Sequence, residues 1–266
     1  MDLIRINHEK CAQCGICAEI CPPMILSMEE HGPQANEPQK CIACGHCVAI
    51  CPNAAIDHAN APLAAQVDLK KFPVIDSETA HQYLRSRRSI RRFKDKSVPP
   101  DQLLKLVDIA RFAPTASNKQ GISYIIIKDE KVLKQVTETT IQWMEVNQSQ
   151  WWSFPLHIRA YREKGIDGIL HAAPHLIVAT APKDFKNGRE NTILSFAYLE
   201  LFSNTLGLGS VWAGLIEMCA FKNYQPLLDL FSIPEDKVFT GAVMVGYPQY
   251  KFHRLVDRNP LDVAWV

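Results

Sequence analysis

Residues 11–22 read Cys-Ala-Gln-Cys-Gly-Ile-Cys-Ala-Glu-Ile-Cys-Pro, and residues 41–52 read Cys-Ile-Ala-Cys-Gly-His-Cys-Val-Ala-Ile-Cys-Pro. An offset of 30 residues superposes all four cysteines of the two runs, and with them a glycine, an isoleucine and a proline. Eight of the nine cysteines in the chain lie in these two runs. The first 60 residues are therefore an internal duplication, with two halves related by an approximate twofold axis.

The spacing of each run, C-x2-C-x2-C-x3-C-P, is the ligand pattern of a bacterial ferredoxin with two [4Fe–4S] clusters. Three cysteines of a run hold one cluster, and the fourth cysteine faces the other cluster from the helix that follows. We predict Cys11, Cys14, Cys17 and Cys51 as the ligands of cluster I, and Cys41, Cys44, Cys47 and Cys21 as the ligands of cluster II. Gly15 and Gly45 should let the backbone pass close to the inorganic sulfur.

Zinc is the main alternative ligand for paired cysteines. A zinc ion needs four ligands, which leaves the third cysteine step and the Cys-Pro of each run without a purpose. Residues 1–60 contain seven acidic and three basic residues, and cluster ligation would add further negative charge. Two adjacent anionic centres favour electron transfer over a purely structural role, which stays as the alternative.

Composition excludes several other classes of protein. The chain has 266 residues, a formal net charge of +1 and 47% apolar residues, which indicates neither a membrane nor a nucleic-acid partner. No apolar run is long enough to cross a bilayer, and the first ten residues lack a signal-peptide pattern. We therefore expect a cytoplasmic protein with reduced thiols. Its predicted parts are a ferredoxin-type domain over 1–60, a linker over 61–73 and a second domain over 74–266.

The second domain has a mixed pattern of helices and strands. The periodicity predicts helices over roughly 78–86, 101–111, 130–148, 189–206 and 222–231, and strands over 124–128, 175–181, 210–215 and 238–246. Helices interleaved with short buried strands indicate an α+β or α/β sheet covered on its faces. The helix over 189–206 is apolar on nearly all sides, which predicts a place in the core or at a dimer interface.

One strongly basic segment interrupts this domain, residues 85–96, which read RSRRSIRRFKDK and are called here the arginine segment. A nucleic-acid patch is one interpretation, but the surrounding sequence does not spread positive charge over a whole face. Several arginines and a serine at a helix-to-extended transition instead predict a site for one small anion. The planar guanidinium fork suits a phosphate group in particular.

Four motifs in this part of the chain resemble those of the FMN-dependent nitroreductase superfamily. They are Arg87-Arg88-Ser89-Ile90-Arg91, residues 113–120 (APTASNKQ), residues 207–215 (GLGSVWAGL), and Gly246-Tyr247-Pro248 followed by His253-Arg254. Their order and spacing fit, and together they cover about residues 74–266. The resemblance implies FMN held between two identical subunits. We thus predict an α+β homodimer: a 2[4Fe–4S] ferredoxin-like domain plus a nitroreductase-like α/β sheet domain covered by helices.

The resemblance also implies roles for individual residues. Those that would bind the FMN phosphate and ribityl end are Arg87, Arg88, Ser89, Arg91 and, from the tail, Arg254. Those near the isoalloxazine ring, some of them reaching the partner subunit's flavin, would be Thr115, Ser117, Asn118 and Gln120. Those whose backbone would bond the ring edge are Ala213, Gly214 and Leu215. No residue is assigned as catalytic, because the flavin carries the chemistry.

Some residues depart from the family pattern or invite a second interpretation. Many family members have Gln-Pro-Trp where this chain has Gln120-Gly121-Ile122, which puts the local shape of the pocket in doubt. The aromatic stretch 141–164 is either core packing or a lid over the flavin. Cys219 is predicted to be a buried thiol, and His171 and His175 are predicted to be structural.

Two functions fit this sequence. The first is an FMN-dependent oxidoreductase that passes electrons between two [4Fe–4S] clusters and FMN and reduces a small organic acceptor, such as a nitroaromatic, quinone or enone, by a ping-pong mechanism. The donor is NAD(P)H or an external ferredoxin, and the sequence does not choose between them. The second is an electron carrier between protein partners that uses FMN as a two-electron buffer. An acidic docking surface on residues 1–60 suits the second function.

Overall fold

The structure is a computed structural model that describes residues 2–69 and 72–266. The chain forms two compact units. Unit one comprises Met1–Val74 and Ser117–Lys119, and unit two comprises Ile75–Ala116 and Gln120–Val266. The predicted linker includes a short 3-10 helix, Leu63–Ala65, while its residues 70 and 71 lie outside the described residues.

The two halves of unit one, which are similar in sequence, are also similar in backbone conformation. Its strands are β1 (Ile4–Ile6), β2 (Leu26–Glu29), β3 (Gly32–Ala35) and β4 (Ile56–His58), and its helices are α1 (Ile16–Glu19) and α2 (His46–Ile50). The strands form two antiparallel pairs, β1 with β4 and β2 with β3. Gly15 and Gly45, with φ of 77° and 70°, precede α1 and α2 in the left-handed conformation that glycine adopts without strain. The duplication thus holds at the level of backbone angles.

Unit two is built on one antiparallel sheet. Its helices are α3 (Ser77–Ser86), α4 (Pro100–Ala110), α5 (Glu130–Val146), α6 (Phe154–Lys164), α7 (Gly188–Thr205), α8 (Gly214–Ala220) and α9 (Gln225–Leu228), and its strands are β5 (Ser123–Ile127), β6 (His175–Pro182), β7 (Gly209–Trp212) and β8 (Lys237–Gly246). The strand order is β5-β6-β8-β7, and each neighbouring pair is antiparallel. Of the two classes that the pattern left open, the fold is therefore α+β.

The central strands β6 and β8 are buried on both faces, which explains their long apolar runs. Along β6, Leu176 and Val178 pack into one core and Ile177 into the other, because successive side chains point to opposite faces. The first core includes residues of α5, α6 and α8, and the second includes residues of α4 and α7. The two central strands, β6 and β8, are therefore covered by helices on each side.

The predicted helices over 78–86, 101–111, 130–148 and 189–206 are confirmed to within two residues. The strand predicted over 210–215 is wrong at its end, because β7 stops at Trp212 and α8 begins at Gly214. The helix predicted over 222–231 is shorter, since it consists of α9 followed by the 3-10 turn Asp229–Phe231. The sequence pattern also missed α6, which begins with a proline in its first turn and ends at Gly165 in the left-handed conformation.

Candidate functional site

The eight cysteines of the two runs separate into two sets of four in unit one. One cavity is lined by Cys11, Cys14, Cys17 and Cys51, and the other is lined by Cys21, Cys41, Cys44 and Cys47. Each set therefore takes three thiols from one run and the fourth from the other run. This grouping is the one that crossed ligation requires.

The surroundings of the thiols affect their protonation. The backbone N–H of Ala43 donates to Cys41 Sγ and that of Ala55 donates to Cys51 Sγ, each at 3.3 Å. Burial raises the pKa of the Cys47 thiol to about 11. Within residues 2–69 and 72–266, no three His, Cys, Asp or Glu side chains have the arrangement of a single-ion site. Because a thiol must lose its proton to bind a metal, loading of these cavities would release protons.

In unit two, the arginine segment runs along the end of the sheet. The N–H of Ile90 donates to the carbonyl of Ser210 at 3.0 Å, and Ser89 forms a parallel bridge with Ser210. Gly209 makes this approach possible, since a Cβ at that position would lie 2.4 Å from Ile90 Cγ1. The arginine segment therefore lies beside β7, just before the turn that holds residues 213–215.

Arg87 is tied to a buried carboxylate. Its Nη1 lies 3.6 Å from Oε1 of Glu200, a residue of α7 that is 5% exposed. Trp212 Nε1 donates to Oε2 of Glu200 at 2.9 Å, and Ser210 Oγ donates to Oε1 at 3.3 Å. Burial raises the pKa of Glu200, while Arg87 and the two hydrogen bonds oppose that rise. Glu200 thus connects α7, β7 and the arginine segment.

Arg88 has hydrogen-bonding capacity that the described residues do not use. Its Nε is buried and has no hydrogen-bond partner among them. Its guanidinium lies 5.6 Å from the centre of the Phe252 ring, and Arg85 lies 3.6 Å from Asp257. These two contacts hold the C-terminal tail, residues 247–266, beside the arginine segment. Arg254 lies between the two contacts in sequence and is exposed.

The structure separates the predicted ring contacts. Thr115 and Gln120 lie together in unit two, where the N–H of Gln120 donates to Thr115 Oγ1 at 3.0 Å. Ser117 and Asn118 belong to unit one, where Asn118 Nδ2 donates to the carbonyls of Ile42 and Ala43 at 3.1 and 3.0 Å. The flavin contacts assigned to these four side chains stay predictions.

Ala213 and the first residues of α8, Gly214 and Leu215, are joined to neighbouring elements by a backbone hydrogen bond and an ion pair. The N–H of Ala213 donates to the carbonyl of Ala242 at 2.9 Å, which joins the turn to β8. Glu217 of α8 forms two hydrogen bonds with Arg189, at 2.9 and 3.0 Å, and accepts a third from the N–H of Ala242 at 3.1 Å. Such bidentate pairs restrict orientation. Ala213 and Glu217 therefore both bind Ala242 of β8, on either side of residues 214 and 215.

The aromatic stretch 141–164 divides between the two interpretations. Trp143 and Phe154 are buried and pack edge to face, with ring centroids 5.6 Å apart, so they belong to the core. Trp151 and Trp152 are exposed. The lid over the flavin therefore stays a prediction that concerns only the exposed pair.

Cys219, His175 and His171 have surroundings typical of structural residues. Cys219 is fully buried, as predicted, and burial raises the pKa of its thiol to about 12. The N–H of Val98 donates to Nε2 of the buried His175 at 2.9 Å, which connects that ring to the chain ahead of α4. Burial, together with Arg91 and Arg92, lowers the pKa of His171 to about 4 despite Asp167.

Sequence reasoning missed three residues with clear roles in these sites. Glu200 lies on a helix whose pattern predicts burial, and an acidic residue in such a position signals a buried ion pair. Glu217 lies on α8, a helix that the sequence pattern did not predict. His58 approaches Cys41 in unit one, with 3.3 Å between Nε2 and Sγ. The duplication contained a signal for His58, because the 30-residue offset pairs it with Met28, so the two halves differ at this position.

Comparison with known proteins agrees with both units. The model of the nitroreductase family matches residues 84–247, and that of the 4Fe-4S dicluster domain matches residues 3–52. A provisionally named NADH dehydrogenase/NAD(P)H nitroreductase of Archaeoglobus fulgidus is 27% identical over 190 residues, which are 66% of this chain and 90% of that protein. An iodotyrosine deiodinase of Thermotoga neapolitana is 27% identical over 172 residues, 62% of this chain and 86% of that protein.

Solved structures have the same fold. A nitroreductase of Bacteroides fragilis, solved with bound FMN, superposes with a TM-score of 0.57 at 16% identity, covering 72% of this chain and all of that one. In the described part of the chain, every helix is too short or too polar to cross a membrane. Because the family match covers more than half of the residues, the chain belongs to the nitroreductase family, and a 4Fe–4S domain precedes its nitroreductase residues.

Proposed function

We propose that the protein is an iron–sulfur flavoprotein oxidoreductase with two [4Fe–4S] clusters and one FMN per chain, which reduces a small organic acceptor. The observation that carries the proposal is the separation of eight thiols into two sets of four, in a chain that belongs to the nitroreductase family. Nitroaromatics, quinones and enones are the acceptor classes that the family resemblance suggests.

The cysteine sets fit [4Fe–4S] clusters by the chemistry of their donors. Four thiolates are the ligand set of such a cluster, and each cavity has four thiols around one space. Cluster I would be held by Cys11, Cys14, Cys17 and Cys51, and cluster II by Cys41, Cys44, Cys47 and Cys21. Buried anionic clusters suit one-electron transfer, which supports an electron path into or out of unit two.

The arginine segment fits a phosphate group. The buried Nε of Arg88 lacks a partner among the described residues, and a phosphate oxygen would satisfy it. The Bacteroides fragilis relative with bound FMN supports this identity for the ligand. Arg87, Arg88, Ser89, Arg91 and Arg254 would hold the phosphate and ribityl end. Thr115, Ser117, Asn118, Gln120 and the 213–215 backbone would contact the ring.

Each group of the protein has a defined task in this proposal. FMN exchanges electrons singly with clusters and in pairs with organic molecules, which is why one chain combines the two kinds of cofactor. The backbone of residues 213–215 would orient the edge of the ring, and the arginine segment would anchor the opposite end of the FMN. In the proposed ping-pong cycle the donor would leave before the acceptor binds.

We further propose a homodimer, in line with the family resemblance. The helix α7 packs Phe196 and Leu199 into the core and leaves Ile193, Leu194 and Tyr198 42–43% exposed. Large apolar residues of the C-terminal tail, including Trp265, are exposed as well. Large exposed apolar side chains are typical of a subunit interface, and a second copy of the chain would cover them.

The composition of the protein purified without oxygen tests these proposals together. We expect about eight irons and one FMN per chain, because each [4Fe–4S] cluster contributes four irons. The mass in solution should be twice that of one chain. Iron and flavin are measured chemically and the mass by light scattering on the same sample. Stoichiometric zinc with almost no iron would contradict the cluster assignment.

Anaerobic stopped-flow absorption distinguishes the enzyme from the electron carrier. NADH, NADPH or reduced ferredoxin is offered first, and nitroaromatics, quinones or enones are offered to the reduced protein afterwards. For an enzyme we expect rapid flavin reoxidation that saturates with the concentration of at least one small acceptor. Reoxidation only by a protein partner would instead support the carrier, which the excess of acidic residues in 1–60 favours.

A further inference from the structure

The two cavities of unit one have the same number of thiols but different surroundings. His58, the last residue of β4, is 3% exposed and lines the cavity of Cys21, Cys41, Cys44 and Cys47. Its Nδ1 accepts hydrogen bonds from the backbone N–H groups of Asn60 and Ala61, at 3.0 and 3.1 Å. A backbone N–H can only donate, so Nδ1 carries no proton, and the proton of the neutral ring is on Nε2.

This tautomer directs a donor at a cysteine. His58 Nε2 lies 3.3 Å from Cys41 Sγ, and since Nε2 carries the proton, its N–H donates to the sulfur. Cys41 is a thiolate when it binds iron, so the bond is then charge-assisted. Because the ring is buried and held by two backbone groups, the donor has a fixed direction.

In the described part of the chain, the other cavity has no histidine at the position equivalent to His58. The offset that pairs Cys41 with Cys11 pairs His58 with Met28, which lines the cavity of Cys11, Cys14, Cys17 and Cys51. A thioether has no N–H. Backbone angles are repeated at the paired positions, for example φ of 51° at both Gln13 and Ala43. The two halves therefore share backbone conformation at paired positions and differ in side chain at His58 and Met28.

We propose that the hydrogen bond from His58 to Cys41 raises the reduction potential of cluster II above that of cluster I, so that the first electron taken up by the clusters resides on cluster II. The inference rests on the proposed function, because it requires both clusters. Reduction by one electron adds one negative charge to a cluster that four thiolates already make anionic. A hydrogen bond to a ligand sulfur stabilises the more negative state more strongly, which raises the potential.

The consequence is a defined order within unit one. An electron that enters through cluster I moves on to cluster II, and the return step is unfavourable. The proposed direction follows from one side chain, since the two sets have the same number and kind of cysteine ligands. His58 is thus a positioning residue that acts through Cys41.

The test is a redox titration of the anaerobic holoprotein, poised by an electrode with mediators and followed by electron paramagnetic resonance. His58→Met gives cluster II the residue that cluster I has. We expect the midpoint potentials of the two clusters to converge. The equilibrium constant for electron transfer from cluster I to cluster II should fall about tenfold, which corresponds to about 59 mV for one electron. His58→Gln, which keeps an N–H donor, should restore part of the difference. His46→Met is the matched control, because His46 lines the same cavity and should leave the midpoints unchanged.

The outcomes separate the inference from the proposed function. If the His58→Met variant keeps all of its iron and has the same midpoint potentials as the wild-type protein, the inference is overturned and the two clusters stay assigned. Wild-type protein without iron overturns the proposed function itself. If the His58→Met variant loses iron, a second measurement tests the inference, on the His46→Met variant with ¹⁵N-labelled histidine. Pulsed resonance of its first reduced cluster should then detect the nitrogen of a histidine, and no coupling overturns the inference.

Discussion

Replacing Cys21 and Cys44 with alanine in one chain should remove about half of the iron, whereas replacing Cys21 and Cys14 should remove nearly all of it. Cys21 lines the same cavity as Cys44, although it belongs to the run of Cys14. The first pair therefore damages one predicted cluster and the second pair damages both. Iron per chain, measured after anaerobic purification, is the readout.

The comparison is informative because the two double variants differ in a single position. If each run held its own cluster, the results would be reversed, with half of the iron left in the Cys14 and Cys21 variant. Equal iron in the two variants would contradict the separation into two sets. Cys219→Ala is the matched control, because this buried thiol of unit two belongs to neither set and its loss should leave the iron complete.

Arg88→Ala combined with Arg254→Ala should release the flavin and leave the iron unchanged. A hydrogen bond to a charged group contributes about 1.5–3 kcal/mol, so loss of two such contacts should weaken FMN binding by about 100-fold or more. Arg88 is included because its buried Nε has no partner among the described residues, and Arg254 because the tail on both sides of it contacts the arginine segment. Flavin fluorescence after ultrafiltration measures the release.

A neighbouring arginine serves as the control for this experiment. Arg92 lies in the same segment and is exposed, and its Nη1 donates to the carbonyl of Arg91 at 3.3 Å. Arg92→Ala removes one positive charge without touching the predicted phosphate contacts, so the flavin should stay bound. Flavin retained by the Arg88 and Arg254 double variant would show that the phosphate site lies elsewhere. Flavin lost equally from the control would point to general electrostatic attraction instead.

The pattern of apolar residues predicted the strands of the sheet but not where each strand ends. The strands β6 and β8 are buried on both faces, so each appears in the sequence as a continuous apolar run. The same criterion failed after Trp212, since the apolar run continues through Ala213 into α8. Hydrophobicity does not register the change from strand to helix, because both elements are buried at this point.

Aromatic composition likewise could not separate core from surface. Trp143 and Trp152 lie nine positions apart in one aromatic stretch, yet the first is in the core and the second is 78% exposed. Trp143 lies on the face of α5 that packs into the core, whereas Trp152 lies in the segment between α5 and α6. The prediction of a lid therefore applies to fewer residues than the sequence suggested.

The sequence by itself determined the cysteine spacing, the 30-residue duplication and the order of the nitroreductase motifs, because these are short-range patterns of ligand type and chain geometry. Only the tertiary structure brought Glu200 to Arg87, left Arg88 Nε without a partner among the described residues, and placed His58 beside Cys41. These contacts join residues 17 to 113 positions apart, and nothing in the local pattern encodes the partner. The duplication made the two cysteine sets equivalent, and a long-range contact made them different.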